Sequence, residues 1–319
     1  FIKPTLDGLG TPSLNDRTER GSEVLVQVLL RDNTDSPVEN QQVIVRLNGT
    51  DVSTTLTTFA NGTAFGSLTV PSNQTVGFND LSVSFAGTTG TTGLIGSNAS
   101  TTFAVLGNTT LSILTSPSTL IAGDSFTVTG TLSDDLSLPL AINGVASLAI
   151  VHLLVDGVPV ASVETNATSG DFSLSWTLPE DVSAGAHTIE VRFLGGRDWV
   201  DPVGVGDPAN PDFYLPSSDQ VQFNVSVPTK ILLLTPGGTV DRESTMTIQG
   251  TLLDLVDAPL ADLTVEVWLG GQWITNVTTD ESGFFVAIYP VPADAPLGPL
   301  SLETRFTGTT FYLPSNATG

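Results

Sequence analysis

The sequence has no cysteine, two histidines, one methionine and only two lysines, Lys3 and Lys230, among 319 residues. Without cysteine, no disulfide supports this chain and thiol chemistry is absent, though secretion is not thereby excluded. Basic residues are scarce: ten Lys and Arg stand against 33 Asp and Glu, for a formal net charge of −23. Such a surface repels polyanions, so neither nucleic acid nor anionic lipid is expected as a partner. Long apolar runs are missing too. The longest, Val145 to Val155, is interrupted by Ser147 and His152, short of the roughly 18 residues of a membrane span. No membrane insertion of this segment is expected.

What is abundant is Thr, Val, Ser, Gly and Pro, a composition that favours strands and turns over helices. Strand signals recur about every 8–12 residues between turn residues, the spacing of an all-β sandwich. The chain also states one pattern three times. Its markers are a Leu-x-Asp-x4-Pro turn, a strand ending in Gly, a Gly-x-aromatic strand, a Pro and a closing Phe-x-Gly. In the middle copy they are Leu132, Asp134, Pro139, Gly157, Gly170, Phe172, Pro179, Gly185, Phe193 and Gly195. In the last copy they run from Leu252, Asp254 and Pro259 to Phe306 and Gly308, and in the first from Leu30, Asp32 and Pro37 to Phe85 and Gly87. Ala64 replaces the aromatic in the first copy. Markers in register three times define internal repeats.

The expected architecture is all-β, with three tandem immunoglobulin-like sandwiches at residues 1–107, 108–228 and 229–319 and hinges near Gly107–Asn108 and Val227–Pro228. The middle repeat carries a loop insertion at 198–211. Period-2 alternation assigns the core faces: Val43/Val45/Leu47, Val151/Leu153/Val155 and Val265/Val267/Leu269, then Leu81/Val83/Phe85, Ile189/Val191/Phe193 and Leu300/Leu302/Phe306.

Leu-x-Asp-x4-Pro, Gly-x-Phe and the Tyr-Leu-Pro-Ser of 214–217 and 312–315 resemble the immunoglobulin-like repeats of bacterial and archaeal cell-surface proteins. The resemblance covers essentially the whole chain and lacks the Cys-Trp-Cys core of antibody domains. It implies an extracellular or cell-surface location in a prokaryote, an archaeon favoured, and it brings no catalytic residues. No enzyme activity is expected. Asp32, Asp134 and Asp254 are assigned to their turns, bonding their own backbone.

Nine Asn-x-Ser/Thr sequons stand at Asn48, Asn61, Asn73, Asn98, Asn108, Asn166, Asn224, Asn276 and Asn316. Chance gives roughly three or four, so N-linked glycans are expected on the exterior. His152 is placed facing solvent and His187 at a strand's rim, while Leu154 and Trp268 are read as outward-facing. Asp198, Asp201, Asp207 and Asp212 in the inserted loop are weighed as Ca²⁺ ligands. Their spacing fits no ordered motif, and a solvated acidic loop is the preferred reading, so no cofactor is assigned.

The ends carry a further expectation. Phe103 and Phe223 precede the next Leu-x-Asp turn by one common distance, and counting back equally from Leu30 lands on Phe1. Phe1, Ile2, Lys3, Pro4 and Thr5 therefore read as a last strand with no sandwich before them, and the third sandwich reads as lacking its own. The arrangement resembles donor-strand-complemented pilus subunits, with residues 1–5 entering the third sandwich of another copy. The expectation is a filament or surface-array subunit joined head-to-tail. The alternative is a stalk segment of a longer surface adhesin or S-layer-type protein, cut from it.

Overall fold

The computed structural model describes residues 2–6, 17–49, 52–89, 93–142, 144–196, 200–201, 204–205, 213–235 and 237–319, of which 2–6, 200–201 and 204–205 are described by backbone alone. All regular structure in it is β. The first group of strands is β1 (Ile2–Leu6), β2 (Arg17–Glu19), β3 (Glu23–Leu30), β4 (Gln42–Leu47), β5 (Ser53–Thr57), β6 (Thr63–Thr69), β7 (Gly77–Gly87) and β8 (Ile95–Leu106). The second begins with β9 (Thr109–Thr115), β10 (Thr119–Ile121), β11 (Ser125–Asp134), β12 (Ala141–Ile142), β13 (Val145–Ala146) and β14 (Ile150–Val155). It continues with β15 (Val158–Glu164), β16 (Asp171–Thr177), β17 (Gly185–Phe193), β18 (Val200–Asp201), β19 (Gly204–Val205) and β20 (Ser217–Ser226). The third comprises β21 (Thr229–Leu233), β22 (Thr245–Asp254), β23 (Thr264–Leu269), β24 (Gln272–Thr278), β25 (Phe284–Pro290), β26 (Leu302–Phe306) and β27 (Ser315–Thr318).

Each group makes two facing sheets. They are β1-β3-β6 with β2-β8-β7-β4-β5, then β16-β11-β9 with β10-β20-β17-β14-β15, then β21-β22-β25 with β24-β23-β26-β27. Among the described strands only the pairs β2 on β8 and β10 on β20 run parallel. The two insertions of the middle repeat hold the short hairpins β12–β13 and β18–β19. Alternating side chains fill the space between sheets: β3 buries Val24, Val26, Val28 and Leu30 while Glu23, Leu25 and Gln27 turn away. One solvated face per sheet gives this pattern.

The repeat markers have structural reasons. Gly62, Gly170 and Gly283 hold φ of 75°, 74° and 71°, and a Cβ there would stand 2.5, 2.2 and 2.5 Å from the carbonyls of Leu30, Leu132 and Leu252. A side chain is excluded both by backbone conformation and by contact. The missing aromatic of the first repeat is compensated across the ladder. Phe172 lies opposite Gly130 and Phe285 opposite Gly250, each ring filling the space a Cβ would take, whereas Ala64 faces Val28. Volume is conserved while its donor strand changes. Asp32, Asp134 and Asp254 each accept two turn amides on Oδ1, from residues two and four ahead, at 2.7–3.0 Å. The turn reading of these aspartates holds, and for Asp134 it is incomplete.

Four placements differ from expectation. Residues 2–6 are the first strand of the first sandwich: Ile2 pairs with Leu30 as Leu111 pairs with Leu132 and Ile231 with Leu252. The link from this strand to the Leu-x-Asp turn is seven residues longer in the first repeat, so equal counting set residues 1–5 in the wrong slot. Phe1 lies outside the described residues. The last strand of the third sandwich begins: β27 pairs with β26 from Phe306↔Ser315 to Glu303↔Thr318, the register of Phe193↔Ser217 onward in β17–β20. The Phe at 103 and 223 marks only the second half of that strand, so its absence did not mean absence of the strand. Leu154 is buried, because a bulge between Leu153 and Leu154 turns three successive residues inward. Leu300 is 40% exposed, and buried Thr304 takes the inward position between Leu302 and Phe306.

Candidate interdomain interface

The end of β8 runs straight into β9, and the turn is closed by the second sandwich. Gly107 donates to the Phe213 carbonyl at 3.0 Å and accepts from Leu215 N–H at 3.0 Å. Tyr214, buried to 1% exposure, packs its ring on Gly107. A Cβ on Gly107 would lie 2.7 Å from that ring and 2.8 Å from Val76. Tyr214 is anchored at its far end, where its hydroxyl donates to the Ala141 carbonyl at 2.8 Å and accepts from Ala141 N–H at 3.0 Å. Burial pushes this hydroxyl above its usual pKa, and the Ala141 bond opposes only part of that rise. Phe78 of the first sandwich meets Phe213 of the second edge-on, centroids 5.0 Å apart, a favourable geometry for aromatic pairs. Val76 and Ala104 belong to the core cluster of the second sandwich.

Charge closes the other side. Arg20 follows β2, its side chain 6% exposed, and its Nε donates to the Gln74 carbonyl at 2.6 Å. Its Nη1 reaches across to Asp134 Oδ2 at 2.8 Å and to Asp135. The Asp134 side chain is only 4% exposed, with Oδ1 in its own turn and Oδ2 on Arg20. One carboxylate thus shapes a turn of one sandwich and holds the arginine of its neighbour. Burial opposes the charge on Arg20, yet Asp134 and Asp135 hold its pKa above the usual value. Charge-assisted bonds of this kind are about twice as strong as neutral ones.

The next boundary repeats the backbone and not the charge. Val227 donates to the Phe311 carbonyl at 2.8 Å and accepts from Leu313 N–H at 2.9 Å, while Tyr312 packs against the cores of both sandwiches. Thr109 and Thr229 each donate to the Leu carbonyl of Tyr-Leu-Pro-Ser, at 2.7 and 2.8 Å, and each lies 2.7 Å from its Ser hydroxyl. Ala122, however, occupies the place of Arg20, and Leu255 that of Asp135. Near this boundary His187 is buried. Its Nδ1 lies 2.6 Å from Asp156 Oδ2 and its Nε2 2.8 Å from the Ser183 carbonyl. Burial pushes the Asp156 carboxyl up, but His187 and the Thr188 amide bring it below its ordinary pKa. In the first sandwich neutral Asn79 takes this place, bonded to Asn48, Gln74 and two backbone carbonyls.

All nine sequon asparagines are exposed. They differ in what their carboxamides already do. Asn61 and Asn166 accept turn bonds on Oδ1 from Thr63 and Thr168. Asn276 accepts from Trp273. Asn48 and Asn108 instead commit Nδ2, to Asn79 at 2.8 Å and Glu19 at 3.2 Å. Asn73, Asn98, Asn224 and Asn316 complete the set, scattered over the three sandwiches rather than gathered. Half-buried Trp268 carries Arg305 over its ring at 4.6 Å, so it supports a cation rather than a contact surface. His152 is half-buried on β14. Asp198, Asp207 and Asp212, and the side chain of Asp201, lie outside what is described. Among the described residues no three His, Cys, Asp or Glu gather as a metal site.

Sequence reasoning missed Arg20 and the second role of Asp134. The signal was present: Arg20 and Arg242 both stand ten residues before the leucine of their Leu-x-Asp turn.

The strands and the boundaries together define a tandem array of immunoglobulin-like β-sandwiches. No family model and no curated protein matches the chain. Solved structures do. One is a tetra-tandem repeat in the extending region of a large adhesion protein, 19% identical over 100% of this chain and 73% of that one, TM-score 0.45. Another is the Escherichia coli adhesin FdeC, 17% identical over 99% and 95%, TM-score 0.34. A third is invasin, a bacterial integrin-binding protein, 17% identical over 96% and 56%, TM-score 0.37. Among the described residues no helix is long and apolar enough to cross a membrane.

Proposed function

We propose that this chain is a spacer, a stalk segment of an extracellular surface protein that sets the distance and stiffness between other parts. The observation that carries the reading is the junction itself. Where strand β8 passes into β9, a glycine, a tyrosine and a buried arginine–aspartate clamp fix the exit of one sandwich to the entry of the next. A chain selected to display independent modules needs no such clamp; inter-domain motion is the default unless an interface prevents it. Small-angle scattering tests this. An elongated particle with the cross-section of one sandwich is expected, and a clustered particle defeats the reading. The exposed sequons support N-linked glycans, and an intact mass of the native protein equal to the bare polypeptide refutes them.

The second reading is a head-to-tail filament joined by strand donation. What favours it is β27, which pairs four residues of β26 where β20 pairs nine of β17. It requires residues 2–6 to leave β3 in favour of another copy. Polymers that survive deletion of residues 1–5 rule it out.

A further inference from the structure

We propose that the far face of the third sandwich, around Arg242, is a docking face for a further immunoglobulin-like repeat that presents an Asp-Asp turn and a Tyr-Leu-Pro-Ser tyrosine, as the second sandwich does. This rests on the spacer reading and gives it chemistry.

The argument is positional equivalence inside one molecule. Arg20 sits in a corner where Gly21 donates to Val70 and Val70 donates to Ser22, at 3.0 and 2.9 Å. Arg242 sits in the same corner, with Glu243 donating to Val291 and Val291 to Ser244, both at 2.9 Å. Arg20 Nε binds the Gln74 carbonyl at 2.6 Å, and Arg242 Nε binds the matching Ala295 carbonyl at 2.7 Å. The guanidinium is therefore aimed by the same backbone in both. What differs is what lies beyond it. Arg20 meets Asp134 and Asp135 and is buried, whereas Arg242 is exposed and has no carboxylate partner among the described residues.

The apolar part of the face behaves likewise. Val76 is 1% exposed under the second sandwich, and its counterpart Leu297 is 84% exposed. Asn79 and His187 are buried at one strand position where Leu300 is open. A cation flanked by exposed leucines, on a chain of net charge −23, selects a partner that offers carboxylates beside an apolar plug. The second sandwich offers Asp134, Asp135 and Tyr214. The first does not, because Leu94 and Asn33 stand at the equivalent places, so a second copy's leading end is the poorer fit.

The register of β27 against β20 makes Gly319 the counterpart of Val221 and Thr101. Appending a copy of residues 102–228 after Gly319 therefore continues the last strand in register into a new second-type sandwich. The cysteine-free chain accepts two introduced cysteines, and spin labels on the third and appended sandwiches read their distance distribution. A single narrow distribution is expected, lost in R242D and restored when Asp135 of the appended copy is changed to Arg; Asp134 is left for its turn. An unchanged distribution in R242D, or no recovery in the reversed pair, overturns the proposal. Self-association of the unextended protein that R242D abolishes overturns it too, because a partner without the tyrosine and second aspartate would then suffice. Scattering on the extended chain separates the two claims: an elongated particle indifferent to R242D keeps the spacer and removes the docking face.

Discussion

At one boundary Gly107 lies under Tyr214 and Arg20 reaches over to Asp134 and Asp135; at the other Val227 lies against Tyr312, and Ala122, in the place of Arg20, brings no cation. The backbone bonds are the same at both, so the repeat itself builds a joint. The side chains then decide how tight that joint is. A glycine allows the tyrosine ring to come down onto the main chain, and a buried ion pair with its remaining lone pairs satisfied fixes orientation, the use of such pairs that is best attested. The difference teaches that single positions change which side chains close a boundary while the backbone bonds of the repeat stay the same.

The largest effect is expected from Gly107→Val, which puts at the first boundary the residue found at the second. Its Cβ would press on Tyr214 and Val76, and overpacking of this kind costs about 1–3 kcal/mol. The first and second sandwiches should unfold as separate transitions in calorimetry, while Val227→Gly should leave the Tyr312 contact in place. Arg20→Ala comes next. It removes charge-assisted bonds and leaves Asp134 buried without its partner, a loss of about 1.5–3 kcal/mol in chemical unfolding of the second sandwich. Because the pair is buried, added salt should weaken it little. Ala122→Arg sharpens the comparison from the other side. Asp254 is available across the second boundary but Leu255 replaces the second aspartate, so the gain should stay below about 1 kcal/mol.

The smallest effect concerns pH. The Asp156 carboxyl is held below its ordinary pKa in the fold. A depressed carboxylate contributes stability that is complete above its unfolded pKa and is lost as pH falls through the folded one. Unfolding temperature of the second sandwich should therefore drop on acidification below the ordinary carboxylate range, and Asp156→Asn should remove that part of the drop. Near the first boundary Asn48 stands in the place of Asp156 and Asn79 in that of His187, and neither titrates, so the first sandwich should not share this part of the drop.

The three repeats and the faces of most strands were legible because each turn needs its own residues: a glycine against the Leu30, Leu132 and Leu252 carbonyls, an aspartate capping two amides. Period-2 reading failed where a bulge breaks the period at Leu154, and again at Leu300, which lies before β26 begins. The first strand was misplaced because spacing from a single phenylalanine cannot separate a strand that ends one sandwich from one that begins the next. The clamp was hidden for a different reason. Asp134 already had a local explanation, and the matched spacing of Arg20 and Arg242 before their Leu-x-Asp turns does not say which residue the arginine meets.

The central claim is that the two boundaries differ in stiffness because of the arginine clamp. Cysteine pairs placed across each boundary of the intact chain, spin-labelled and measured for their distance distributions, test it directly. The account predicts a narrow distribution across the first boundary, a broader one across the second, and broadening of the first alone in Arg20→Ala. Equal widths in the unmodified chain, or a first distribution unmoved by Arg20→Ala, would contradict it.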